Sequence, residues 1–255
     1  MESRLSSRAA RTTDTDVRQH SPARSITLHL LPGVFLLGFF VLLGPLVERL
    51  DMPSLFVLFL GIPCVIAPFE LGYLLYQGKR KNNSFSLKGV VLFREPIPLW
   101  QYVVLVALGC AWMGFWFFKV APPLDKYLID TFFSGLPAWF FGASKSLDQY
   151  PRAHLLLAGT VGLVFNGIAG PIVEELYFRG YLLPRISYMG KWAPLVSSVL
   201  FSVYHFFTPW QNPIRLMVLV PMTYIVVRNR NIYWGMIVHA ALNTTAMILF
   251  LLSVK

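Results

Sequence analysis

Charge is scarce in this sequence. Asp, Glu, Lys and Arg make up 13% of its 255 residues, and apolar and aromatic residues make up 56%. A soluble domain carries about 25% charge, so much of this chain's surface is expected to face lipid instead of water. Cysteine is nearly absent: Cys64 and Cys110 are the two present, both inside apolar runs. That excludes a disulfide scaffold and a multi-cysteine metal cluster, and both read as small core hydrophobes. There is also no stripe of Lys and Arg interleaved with aromatics, so the net charge of +10 is not the footprint of a nucleic-acid binder. The basic residues fall between apolar segments, where they carry topology information. No internal repeat, heptad array or strand-length alternation is visible.

What is present is a series of long apolar windows. A hydrocarbon core about 30 Å thick needs roughly 20 apolar residues per spanning helix. About seven segments qualify, at 26–47, 54–76, 98–120, 153–183, 192–207, 214–227 and 232–252. The expected fold is therefore all-α, a polytopic transmembrane helix bundle. The sixth segment is short and is expected to tilt little or to extend into its flanks. Ahead of the first segment, residues 1–25 are rich in Ser, Thr and Arg and poor in apolar side chains. They read as a disordered basic cytoplasmic tail. The first apolar run has no small-residue cleavage site and reads as a retained anchor. Residues 26–152 then form an N-terminal set of helices with a loop, and 153–255 a C-terminal set.

Positive residues set the expected orientation. Arg4, Arg8, Arg11, Arg18 and Arg24 precede the first segment; Lys79, Arg80, Lys81, Lys88 and Arg94 follow the second; Arg185 and Lys191 follow the fourth; Arg228 and Arg230 follow the sixth. The intervening connections are poorer in Lys and Arg, apart from the longer 119–152 loop, whose basic residues are offset by Asp125, Asp130 and Asp148. This alternation places the N-terminus in the cytoplasm and the C-terminus outside, with the plasma (cytoplasmic) membrane as the expected location.

Within the apolar segments, three acids stand out: Glu70, Glu174 and Glu175. An ionised side chain at a helix centre costs about 2.5–3.5 kcal/mol on insertion scales, so such groups mark use or pairing. Glu175 and Arg179 are spaced i,i+4 with the acid first, the favourable order for an ion pair. Glu174 is rotated about 100° from Glu175 and points elsewhere. Pro171 follows Gly170, and Pro disfavours helix at the residue before it. A kink or restart there would put the glutamates near a helix N-terminus, where the dipole favours carboxylates. Two histidines, His205 and His239, lie inside apolar segments; Phe201 precedes the first by four residues and Asn243 follows the second by four. Counted from the expected cytoplasmic ends, Glu174, His205 and His239 lie roughly 13, 20 and 10 Å deep at 1.5 Å per residue. All three can meet at one level.

At these residues the sequence resembles the CAAX proteases and bacteriocin-processing enzymes, the CPBP or Abi family of intramembrane proteases. The resemblance rests on Glu174-Glu175 with Arg179 (EExxxR), Phe201 with His205 (FxxxH) and His239 with Asn243 (HxxxN), in order on three apolar segments. It implies an intramembrane endopeptidase acting on membrane-associated or prenylated, CAAX-like proteins and peptides, with membrane lipid as its other partner. The implied site residues are Glu174, Glu175, Arg179, His205, His239 and Asn243. Glu174 would be the general base and His205 would help to orient water. Glu175 would pair with Arg179, and His239 and Asn243 would donate to the developing oxyanion. Zinc is possible, held by Glu174, His205 and His239 with a water completing the tetrahedron; a metal-free mechanism is equally open. The soluble-protease motif HExxH is absent.

Plainer readings compete. The Glu175–Arg179 pair could be structural, His205 a satisfied core histidine, and His239 with Asn243 interhelical glue. Glu70, nearer a helix end, reads as a snorkelling acid or a partner for Arg179. Trp112, Phe115, Trp116, Phe117 and Phe118 read as lipid or interfacial surface. On these readings the chain would be a non-catalytic immunity or scaffold protein. A proton-coupled carrier is the weakest alternative, because no second broken helix marks a repeated half.

Overall fold

A computed structural model describes residues 17–144 and 147–254. Among the described residues helices follow the seven apolar windows: α1 (Pro22–Glu48), α2 (Leu55–Asn82), α3 (Leu99–Phe132), α4 (152–182), α5 (Ala193–Tyr204), α6 (Asn212–Asn229) and α7 (Tyr233–Ser253), and five stretches, α1, α2, α3, α4 continued through α5, and α7, are long and apolar enough to cross a membrane. Among the described residues there is no β-strand beyond two isolated bridges. The long apolar stretches make this an integral membrane helix bundle. A tight 3₁₀ segment, Leu183–Trp192, links α4 to α5.

The connections gather at two ends, as alternating helix directions require. At one end the α2–α3 connection lies against the end of α4 and the α6–α7 turn. Leu92 N donates to Gly180 O at 2.8 Å and Ile232 N to Phe93 O at 2.8 Å. The segment before α1 joins the same end, with His20 N donating to Arg185 O at 2.8 Å. At the other end Tyr150 OH donates to Glu48 Oε1 at 2.8 Å, and His154 Nδ1 donates to Asp51 O at 2.9 Å. The Lys- and Arg-rich connections thus share one end, the arrangement their spacing along the chain anticipates.

The tail expectation needs correction over 17–25. Residues 1–16 lie outside the described residues, but Pro22–Ser25 already belong to α1. Ser21 caps the helix by accepting from Arg24 N, and Pro22 supplies a preset φ at the first helical position. Gln19 Nε2 donates to Pro184 O at 3.2 Å, and His20 is buried. Composition suggested disorder here because the partners are 165 residues away in sequence.

The expected restart at Gly170-Pro171 does not occur. Gly170 keeps helical angles (φ −56, ψ −57), and α4 widens into i→i+5 turns over Leu163–Ala169, so that Gly170 N bonds Phe165 O. The same device precedes Pro122 and Pro123 in α3, at Trp116–Val120, and surrounds Pro63 and Pro68 in α2, at Ile62–Leu71. A widened turn moves the carbonyl that a proline ring would strike and removes the need for its missing donor. Glu174 and Glu175 therefore sit inside a continuous helix, and the helix-terminus argument for their ionisation falls away.

Candidate active site

α4 carries the acidic pair past the middle of the bundle, and the 100° between successive residues separates the two carboxylates. Glu175 is buried, 4% exposed, and its Oε2 lies 3.6 Å from Arg179 Nε. Arg179 is equally buried, with its guanidinium 4.0 Å from the centre of the Phe201 ring. The ion pair and a cation–π contact thus tie α4 to α5. Glu174 is only partly buried and accepts from Tyr204 OH at 3.3 Å.

His239 faces the two acids from α7. Its Nδ1 stands 3.3 Å from Glu175 Oε1 and its Nε2 3.8 Å from Glu174 Oε2. One turn further, Asn243 Nδ2 donates to Asn166 O at 3.0 Å, which fixes the amide and, among the described residues, leaves its second hydrogen without a protein acceptor. His239 Nδ1 is thus within hydrogen-bond distance of Glu175, while Nε2 lies beside Glu174 but beyond hydrogen-bond distance.

His205 corrects another expectation. It is not inside a helix: α5 ends at Tyr204, and His205 turns the chain with φ −81 and ψ 54. Its Nδ1 lies 2.9 Å from Phe201 O. A carbonyl only accepts, so Nδ1 carries the proton and Nε2 keeps its lone pair. Phe201 and Tyr204 hold the imidazole edge-on, with ring centroids 4.9 and 4.8 Å away. The following connection, 205–211, leaves the α-helix for a turn and one 3₁₀ turn, Pro209–Gln211, among spanning helices. That is tolerated where it is covered by protein or lines a cavity, and Trp210 packs it beneath Phe140 and Phe141.

All seven motif residues and Tyr204 line one cavity of about 430 Å³. Its walls are otherwise mostly apolar, with Leu36, Phe59, Ile62, Met113, Phe117 and Phe118 among them. Of the α3 aromatics, Trp112 and Phe115 face outward as expected, while Phe117 and Phe118 border the cavity. Among the described residues no group of three or more His, Cys, Asp or Glu side chains is placed to hold a metal ion. Glu174, His205 and His239 share the cavity without forming a ready ligand set.

Two residues, Tyr204 and Arg215, escaped the sequence reading, and the reading of a third, Glu70, needs revision. Tyr204 adjoins His205 but gives no sequence sign that its hydroxyl reaches Glu174. Glu70 does not snorkel: it is fully buried, with Tyr204 and Arg179 the polar groups near its carboxyl. Arg215 is a buried cation in the sixth apolar window, and its charge was the available signal.

Residues 156–245 match a family model described as Rce1-like, type II CAAX prenyl endopeptidase Rce1-like. Over those residues the chain is similar to the CAAX-protease family. The match takes in α4 from Leu156 onward, α5, α6 and most of α7, with every motif residue inside it. No curated protein and no solved structure matches the chain.

Proposed function

We propose that the protein is an intramembrane endopeptidase that hydrolyses peptide bonds of membrane-associated or prenylated, CAAX-like substrates, using water activated by Glu174 and His205. The observation that carries this reading is the pairing of one accessible carboxylate, Glu174, with an imidazole whose Nε2 is kept as an acceptor, in a single cavity. A water between them gives one hydrogen bond to His205 Nε2 and loses its other proton to Glu174 as it attacks the scissile carbonyl; Glu174 then returns that proton to the leaving amine as the C–N bond breaks, which leaves a carboxylic acid and a free amine. Tyr204 OH holds Glu174 in place. His239 and Glu175, backed by Arg179, fix the opposite side of that carboxylate. Asn243 offers its unspent amide hydrogen to the oxyanion. The orientation is that of the basic connections: N-terminus and site on the cytoplasmic side of the plasma membrane.

The family match and the apolar walls support a lipidated or membrane-seated substrate. The test is to present the purified protein in lipid with a prenylated peptide ending in a CaaX sequence and with its unprenylated twin. Release of a C-terminal fragment, faster from the prenylated peptide, is expected. No cleavage of either would point to the non-catalytic scaffold. Zinc enters as a separate measurement on protein purified without a metal-affinity tag. Stoichiometric zinc with chelator-sensitive cleavage would replace the residue-only account of water activation.

A further inference from the structure

The turn that carries His205 is closed by short-range backbone hydrogen bonds, Thr208 N to His205 O and Gln211 N to Thr208 O among them, and one buried side chain from α6 binds it at several further points. Arg215, 7% exposed, sends Nη1 to Thr208 O at 3.0 Å and to Asn212 Oδ1 at 3.1 Å. Its Nη2 reaches Gln211 Oε1 at 2.8 Å and the Thr208 hydroxyl. Thr208 in turn donates its backbone N–H to His205 O at 3.0 Å, and Ser202 Oγ donates to Asn212 O at 3.2 Å. Gln211 passes the link to α3, donating to Asp125 Oδ2 at 3.2 Å. A guanidinium at four acceptors of one short turn holds that turn's shape. The turn's shape fixes the angle at which the His205 ring leaves the chain.

We propose that Arg215 is a positioning residue for His205: it clamps the 205–212 turn so that Nδ1 stays on Phe201 O and Nε2 stays aimed at the reacting water. This rests on the reading of His205 as part of the water-activating pair, and the experiment separates the two claims. Arg215→Gln removes the fork. A misplacement of about 1 Å at a reacting group can cost about a hundredfold, so kcat is expected to fall about ten- to a hundredfold while KM changes by less than about twofold. In a His205→Ala background the same substitution is expected to change the residual rate by less than about twofold, because residues acting through one another are non-additive. Equal losses in both backgrounds would show a general structural role and overturn the proposal. Arg215→Lys, which restores charge without the fork, is expected to recover only part of the rate.

A second readout does not depend on cleavage. In ¹⁵N-histidine-labelled protein, with the His205 signal assigned by its loss in His205→Ala, wild type is expected to show one tautomer protonated at Nδ1. Arg215→Gln, and the milder Thr208→Val should the first not fold, are expected to show a mixture. An unchanged single tautomer in a folded variant would overturn the clamp whether or not the protein proves to be a protease.

Discussion

The side chains of Glu174 and Glu175 leave one helix in different directions, and the difference in surroundings assigns them different work. Both border the cavity, but Glu175 is held between Arg179 and His239, whereas Glu174 is the more exposed of the two and accepts from Tyr204. Breaking a buried pair by removing one partner costs about 3–5 kcal/mol, because an uncompensated charge is left behind. Arg179→Met is therefore expected to lower the thermal midpoint of the lipid-reconstituted protein sharply, and Glu175→Gln added to it to recover part of the loss. A midpoint unchanged in Arg179→Met would remove the structural role given to this pair. The i,i+4 spacing made the pair legible in the sequence. Tyr204 and Glu70 were not legible, since their proximity to the site is made through space by α5 and α2. The position of His239 beside both acids was likewise hidden, because spacing along α7 says nothing of what faces it on α4.

Elements place these residues by close approach. α1 crosses α5 at Gly33, where a Cβ would lie 2.1 Å from the carbonyl oxygen of Tyr204. That contact is with backbone, so it cannot be relieved by a rotamer change, and it sits on the residue that hydrogen-bonds Glu174. Overpacking typically costs about 1–3 kcal/mol, and Gly33→Ala is expected to lower both thermal stability and cleavage rate. Gly38→Ala, where nothing lies within 4 Å, is expected to change neither. Equal behaviour of the two variants would contradict this crossing. The sequence shows both glycines in the same apolar run and does not distinguish them. The ends of helices were harder still: α5 stops at Tyr204 although the apolar window runs to Phe207, because capping and the Arg215 contacts override hydropathy there.

At the scale of the whole molecule, the apolar windows and basic connections were sufficient to expose the seven-helix layout, since lipid imposes both length and charge placement. What they hid is how the segment before α1 is fastened. His20 is buried against the α4–α5 turn, and burial, followed by the nearby Arg24 and Arg185, pushes its pKa from 6.5 down to about 4. The neutral form is thus the one that docks. Its contribution is full above the undocked pKa near 6.5 and is lost as pH falls from there toward about 4, below which the loss is complete. Protection of the amides of residues 17–21 against hydrogen exchange, taken relative to the intrinsic rate at each pH, is expected to fall across that interval in wild type and to be flat in His20→Gln. A flat wild-type profile would contradict the docking.

The account stands most directly on Glu174 as the group that takes the proton from water. The decisive measurement is kcat for cleavage of one membrane-associated peptide by wild type and by Glu174→Gln, which keeps size and hydrogen bonding while removing the base. Loss of general-base catalysis is worth about 10²–10⁴-fold, so a drop of that order in a variant with wild-type thermal stability is predicted. A Glu174→Gln protein that cleaves as fast as wild type would contradict it.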